Sequence, residues 1–189
     1  MDLNKPLFII TGPSAVGKTA VVTGILQSNI PVDKVITTTS RVPRAGEIDG
    51  VNYHFVSQEQ FETLVRDDKM FEWAEYAGNF YGSQRADVEK IFEHNQYPLW
   101  VLDSQGADFL KDHYKNTYVI FLVPSAFDIL RTRMEKRGMA EADIRRRLKI
   151  ARSELDQAPK YDVRVINYDG QLSKIVAEVA EIIRGKIEG

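Results

Sequence analysis

The residues most able to do chemistry in this chain sit at Gly12-Pro13-Ser14-Ala15-Val16-Gly17-Lys18-Thr19. They match a G-x-x-x-x-G-K-[ST] phosphate-binding loop at every fixed position. Two glycines let the backbone curl until successive N–H groups face one concavity, an anion nest. A helix start adds unpaired N–H groups and the positive end of its dipole. Lys18 then reaches terminal phosphates, and the Thr19 hydroxyl is placed to ligate Mg²⁺. Two elements must hold this loop. Residues 7–10 are an apolar run that reads as a buried strand, and residues 20–27 read as a helix. A chance glycine-rich turn is the alternative, and the strand before and helix after it argue against that.

A second point is residues 99–103, an apolar strand ending in Asp103. Strands ending in an acid are common. Beside a phosphate loop, this one reads as the acid that anchors Mg²⁺. A third is the loop Ser40-Arg41-Val42-Pro43-Arg44-Ala45-Gly46-Glu47, whose two arginines could face one anion or simply water. A fourth is Glu72, within the first arm of a hairpin predicted over residues 70–76 and 79–81 around Ala77-Gly78. It either faces solvent or needs a partner, because an unpaired buried charge is expensive.

The remaining elements follow from pattern. Residues 35–39 read as a β-branched strand and 53–56 as a short one. Ser57 caps a helix, with Gln60 as its capping-box partner. Residues 85–93 form an amphipathic helix, 118–123 a buried strand, and Ser125 caps the helix after it. That helix ends at Gly138, and a second basic helix spans 141–157. Most of their arginines and lysines read as solvated surface. An arginine-rich helix pair between core strands is also what a mobile phosphate-covering lid requires. Residues 163–166 read as a last buried strand, Asn167 as a turn, and 172–187 as a terminal helix. This alternation predicts an α/β fold with a parallel sheet, in which Gly12, Asp103 and Asn167 all fall beyond the carboxyl ends of strands.

At 189 residues the chain is expected to form one unit with inserted subdomains, and its net charge of −2 gives no bulk pull toward nucleic acid or membrane. The absence of cysteine excludes disulfides and thiolate metal sites. No apolar run spans a bilayer and the start lacks a signal-peptide pattern, so a cytoplasmic protein is expected. His54, His94 and His113 show no metal or triad spacing.

Taken together, these stretches resemble the guanylate kinases, of the nucleoside monophosphate kinase family, over nearly the whole chain. The marks are the phosphate loop, the block 40–47, Gly50 with Tyr53-His54-Phe55-Val56, and Phe71-Glu72-Trp73-Ala74. Gly78-Asn79-Phe80-Tyr81-Gly82-Ser83, Asp103-Ser104-Gln105-Gly106, residues 133–138 and Val165-Ile166-Asn167 also match. The resemblance implies a P-loop kinase core (1–36, 85–124 and 158–189), a GMP-binding α+β insertion (37–84) and a helical lid (125–157). It implies ATP + GMP ⇌ ADP + GDP with Mg²⁺, dGMP being the other acceptor, in a monomer or homodimer.

Carried over position by position, Gly12 to Thr19 and Asn167 would hold ATP. Arg41, Arg44, Tyr53 and Tyr81 would hold the GMP phosphate. Thr37, Glu72, Ser83 and Asp103 would read guanine. Lys18, Arg133, Arg137 and Arg147 would act on the transferred phosphoryl group, and Thr19 and Asp103 would serve the metal. Guanine offers N1–H and 2-amino donors beside an O6 acceptor, which suits a carboxylate flanked by hydroxyls. The chain departs from the family pattern at Ala15, where a third loop glycine is usual, and at Ser40, where threonine is. Val101 and Tyr168 each stand where an acid is common. Two other readings are a silent module binding phosphorylated partners and a kinase for another phosphorylated acceptor. The retained Lys18 and lid arginines oppose the first, and the guanine-reading set opposes the second.

Overall fold

The computed structural model describes residues 5–44, 46–76 and 78–189. Ala45 of the arginine loop and Ala77 of the predicted hairpin turn lie outside the described residues, as do Asp2 and Asn4.

The central strand β1, Leu7–Thr11, is buried at all five positions. It pairs in parallel with β7, Tyr97–Val101, on one side and β8, Thr117–Pro124, on the other. The five-stranded parallel sheet is completed by β2, Val32–Lys34, beyond β7 and β9, Val163–Asn167, beyond β8. A strand buried on both faces must be apolar at successive positions, which is why Leu7 to Ile10 show no alternation. Phe8 and Ile10 point into a core shared with helix α1, Lys18–Leu26, and helix α7, Leu172–Glu188. Leu7 and Ile9 point into the opposite core, with Trp100 and residues of α3, Arg85–Glu93, and α4, Ser104–His113.

A second, four-stranded sheet carries the middle of the chain. It comprises β3 (Thr37–Thr39), β4 (His54–Phe55), β5 (Met70–Tyr76) and β6 (Asn79–Gln84), in the order β4-β3-β6-β5. Helix α2, Gln58–Arg66, begins with the expected reciprocal capping box between Ser57 and Gln60. The basic helices are α5, Phe127–Lys136, and α6, Glu141–Gln157.

Several elements differ from expectation. The run 35–39 is not one strand. Val35 donates its N–H to Leu99 O beside the first sheet, while Thr37–Thr39 pair with β6 in the second. The β-branched run crosses from one sheet to the other, a change of partner that residue pattern does not carry. Helix α4 was not anticipated, although Asp103 caps it by accepting the Gly106 N–H at 3.0 Å. Ser125 does not cap α5, whose N-cap is Ala126 with no side-chain bond. β9 extends through Asn167 and alternates between buried and exposed positions because it is the sheet's edge.

Candidate active site

The phosphate loop leaves the carboxyl end of β1 and runs into α1. Gly12 has φ +133°, and a Cβ there would lie 2.5 Å from Leu122 O. Gly17 has φ +109°, and a Cβ there would lie 2.4 Å from Asn167 Nδ2. Gly12 is therefore required by close approach to backbone as well as by its angle, and Gly17 by its angle. Ala15 adopts φ +65°, the left-handed region, against the ordinary angle that an alanine side chain favours. The loop keeps its curl without the third glycine, at the cost of local strain.

Lys18 is partly buried, with its ammonium turned back into this curl. It donates to Gly12 O at 2.5 Å and Pro13 O at 3.2 Å. Burial pushes its pKa down, opposed by the carboxylates of Glu154 and Asp103 and reinforced by Arg137 and Arg147. Thr19, one residue on, is exposed.

The basic helices reach over the loop. Arg133 Nη1 donates to Ala15 O at 3.1 Å and Val16 O at 2.9 Å, and its Nη2 pairs with Asp169. Arg147 Nη1 donates to Ser14 Oγ at 3.1 Å, while its buried Nε makes no hydrogen bond. From β9, Asn167 Nδ2 donates to Val16 O at 2.6 Å. Arg137 contributes charge near Lys18. Lys18, Arg133, Arg147 and Asn167 thus converge on one loop.

The second sheet builds a different pocket. Register places Thr37 opposite Ser83, and Ser83 opposite Glu72, so the three form a row across β3, β6 and β5. All three are buried, Glu72 at 4% exposure, which excludes the solvent-facing reading. Ser83 donates to Glu72 Oε1, and the Trp100 indole donates to Ser83. Burial raises the Glu72 pKa to about 7, against the pull of Ser83 and with a further push from Asp103. Gly82 sits in the adjacent row, opposite Thr38 and Trp73, where Glu72 O would lie 2.4 Å from any Cβ.

At the other end of that sheet, Arg41 lies 5.5 Å from the Tyr53 ring centre, and Tyr53 packs edge-on against Tyr81 at 6.4 Å. Glu47 accepts two bonds from Arg41 Nη2, both 2.9 Å, and one from the Arg44 N–H at 2.7 Å. Burial pushes the Glu47 carboxyl up, but Arg44 and Arg41 outweigh it and hold it below its usual range. The Arg44 side chain is exposed, its charge felt by Glu47 and Tyr53.

Asp103 stands between the two assemblies. Its charge reaches Glu72 on one side and Lys18 and Glu154 on the other. That arrangement suits a transfer between two bound anions: a cationic cradle, a separate carboxylate-lined pocket, and a link between them.

Comparison with known proteins agrees. The family model described as guanylate kinase matches residues 4–186. This chain belongs to the guanylate kinase family. It is accordingly a nucleoside monophosphate kinase, an ATP:GMP phosphotransferase. It is 36% identical over 178 residues to a guanylate kinase of Synechocystis sp., covering 93% of each chain. A Synechococcus sp. guanylate kinase is 38% identical over 162 residues, 85% of this chain and 75% of that one. The crystal structure of guanylate kinase from Anaplasma phagocytophilum superposes with a TM-score of 0.78 at 27% identity, covering 98% of this chain and 87% of that one.

Some residues at the site escaped the sequence reading. Glu154 lies seven residues after Arg147, two helical turns, so both share a face of α6. Burial raises its pKa, Lys18 lowers it and Asp103 raises it further. Glu47 was visible as an acid three residues after Arg44. Trp100 and Asp169 carried no local signal, since each acts through a contact distant in sequence.

Proposed function

We propose that this chain phosphorylates GMP, and dGMP, at the expense of ATP, with the second sheet selecting the acceptor and the loop gripping the donor. The observation that carries the reading is the row Thr37, Ser83, Glu72, buried across three strands and linked through Asp103 to Lys18. Glu72 ionised accepts from guanine N1–H and the 2-amino group. The Thr37 hydroxyl stands beside it to donate to O6, while Ser83, whose one proton goes to Glu72 here, would turn it to O6 when guanine binds. Adenine reverses the N1 and O6 roles and would leave buried groups unpaired, a mismatch worth up to roughly 10⁴-fold. Arg41, Arg44, Tyr53 and Tyr81 take the GMP phosphate, and Asn167 lies beside the donor base.

In this proposal residues 37–84 move as the acceptor-binding insertion and residues 125–157 as the lid, against a core of 1–36, 85–124 and 158–189. A GMP phosphate oxygen is already ionised, so it attacks the γ-phosphorus without a strong general base. The bond from that phosphorus to the β–γ bridging oxygen breaks, and ADP leaves. Lys18, Arg133, Arg137 and Arg147 neutralise the repulsion between two polyanions and the charge of the transition state. Closure of insertion and lid excludes water and suppresses hydrolysis of ATP.

The donor set fits Mg²⁺. Among the described residues no cluster of three or more His, Cys, Asp or Glu could cage a metal. The oxygens of Thr19 and Asp103 are few and hard, as suits an ion bound chiefly through substrate phosphates and water. When bound it supplies further charge neutralisation on the donor phosphates. No helix among the described residues is long and apolar enough to cross a membrane. We place the enzyme in the cytoplasm, where its nucleotide substrates are.

The deciding experiment offers GMP, dGMP, AMP, CMP and UMP in turn with ATP and Mg²⁺ and follows ADP release. GMP and dGMP are expected to be turned over and the others not. AMP used as well as GMP would refute the assignment of the buried row to guanine.

A further inference from the structure

Beside the phosphate loop lies a cleft of about 250 Å³, lined in part by Gly17. Its walls are mostly apolar: Ala15, Gly17, Ala20, Gly170, Leu172 and the ring of Tyr168. Tyr168 and Leu172 are 48% and 43% exposed, large side chains left open at the mouth of a cleft. Tyr168 is held there by a turn in which its carbonyl accepts the Gln171 N–H at 3.3 Å, with Gly170 at φ +74° supplying the left-handed position.

Part of the polar lining of the same cleft is engaged elsewhere. The Asn167 amide N–H is given to Val16 O. Arg133 is spent on Ala15 O, Val16 O and Asp169. Arg137 also lines the cleft, and its charge helps lower the Lys18 pKa. Tyr168 brings an aromatic ring to this lining.

We propose that Tyr168 is the platform on which the donor's base stacks, and that this enzyme consequently discriminates poorly among purine triphosphate donors. The inference rests on the assignment of this cleft to the donor under the proposed function. Stacking on an aromatic face tolerates base identity because every base has a π-face, whereas discrimination requires edge hydrogen bonds.

Two measurements test it. In the first, base-labelled GMP is converted to labelled GDP with ATP or GTP as donor, so that product from the acceptor is counted separately. The kcat/KM values for the two donors are expected to agree within about tenfold, and Tyr168→Ala to raise both donor KM values about tenfold while the GMP KM stays put. Tyr168→Phe, which keeps the ring, restores the donor KM. In the second, calorimetry reads the Kd of non-hydrolysable ATP and GTP analogues with Mg²⁺ and saturating GMP. Tyr168→Ala is expected to weaken both analogues by a similar factor. A donor preference well beyond tenfold, an unchanged analogue Kd in Tyr168→Ala, or a loss confined to the adenine analogue would each overturn the proposal. Failure to phosphorylate GMP with any donor would reject the proposed function instead, and calorimetry would still decide the role of Tyr168.

Discussion

Ser83 donates its hydroxyl to Glu72 Oε1 across 2.7 Å in the buried floor of the second sheet. Trp100 Nε1 fixes that serine by donating to its oxygen at 2.9 Å. Ser83 is thus aimed at a carboxyl whose pKa burial raises to about 7. Under the proposed function guanine takes this carboxyl as an acceptor, so it would be ionised in the complex. GMP binding is therefore expected to strengthen as pH rises through 7. The KM for GMP should fall about tenfold from about pH 6 to about pH 8. The GMP phosphate also titrates near pH 6, which adds a slope of its own. Glu72→Gln should raise KM at every pH and retain only the phosphate slope. Identical pH profiles for the two proteins would show that Glu72 does not carry the titration.

The same carboxyl predicts a pH dependence of folding with the opposite trend. Its folded pKa of about 7 lies above the ordinary 4.5. Between these values the folded state keeps a proton that the unfolded chain has lost. Stability therefore falls as pH rises through that window, by about 3 kcal/mol in all, and is level above it. Glu72→Gln keeps an oxygen to accept from Ser83 and removes the charge. It should be more stable than the parent near pH 8, with the gap closing toward pH 4.5. Urea unfolding of both proteins at the two ends of the window reads this directly, and a gap independent of pH would sink it.

Glu47 holds Arg41 with two bonds of 2.9 Å and so fixes the guanidinium over the Tyr53 ring before any phosphate arrives. Glu47→Gln should let Arg41 wander and raise the GMP KM by about tenfold, with kcat changed little, the signature of lost ground-state binding. A drop in kcat at constant KM would assign Glu47 to the chemical step instead.

How much of this was legible beforehand varies by residue, for a physical reason. The phosphate loop and Asp103 were readable because their chemistry is local. Consecutive residues make the nest, and an acid ending a strand lands at the sheet's carboxyl edge. The resemblance named Glu72, Ser83 and Thr37, but their alignment in one row depends on strand register. That register includes an irregularity between Met70 and Glu72 that sequence pattern does not reveal. Asp169 and Trp100 act on partners 36 and 17 residues away, and no spacing rule connects them. The split of 35–39 between two sheets was invisible for the same reason: β-branched residues suit both.

Ala15, at φ +65°, carries strain that glycine would not. Left-handed backbone costs an L-residue about 1 kcal/mol, partly offset by the freedom that glycine adds to the unfolded chain. Ala15→Gly should raise Tm by about 1–3 °C, since 1 kcal/mol moves a chain of this size by roughly 2–4 °C. Arg133 binds the Ala15 carbonyl and not its side chain, so that contact should survive. A fall in Tm would mean that the methyl group's burial outweighs the strain.

Arg133 rests on Ala15 O and Val16 O, so helix α5 meets the phosphate loop directly. Its other edge pairs with Asp169, which is 65% exposed. Surface pairs of that kind contribute only about 0–1 kcal/mol, whereas a donor aimed at developing phosphoryl charge is worth about 10²–10³ in kcat. The two contacts of one side chain should therefore separate kinetically. Arg133→Ala should lower kcat by about 10²-fold or more with little effect on the GMP KM. Asp169→Asn frees one edge of the guanidinium but leaves its charge in place. It should change kcat by less than about fivefold. Steady-state kinetics of the two variants decide between the roles. Equal losses would show that Arg133 serves to brace the loop against the turn after β9, and that the phosphoryl charge is met by Lys18, Arg137 and Arg147 alone.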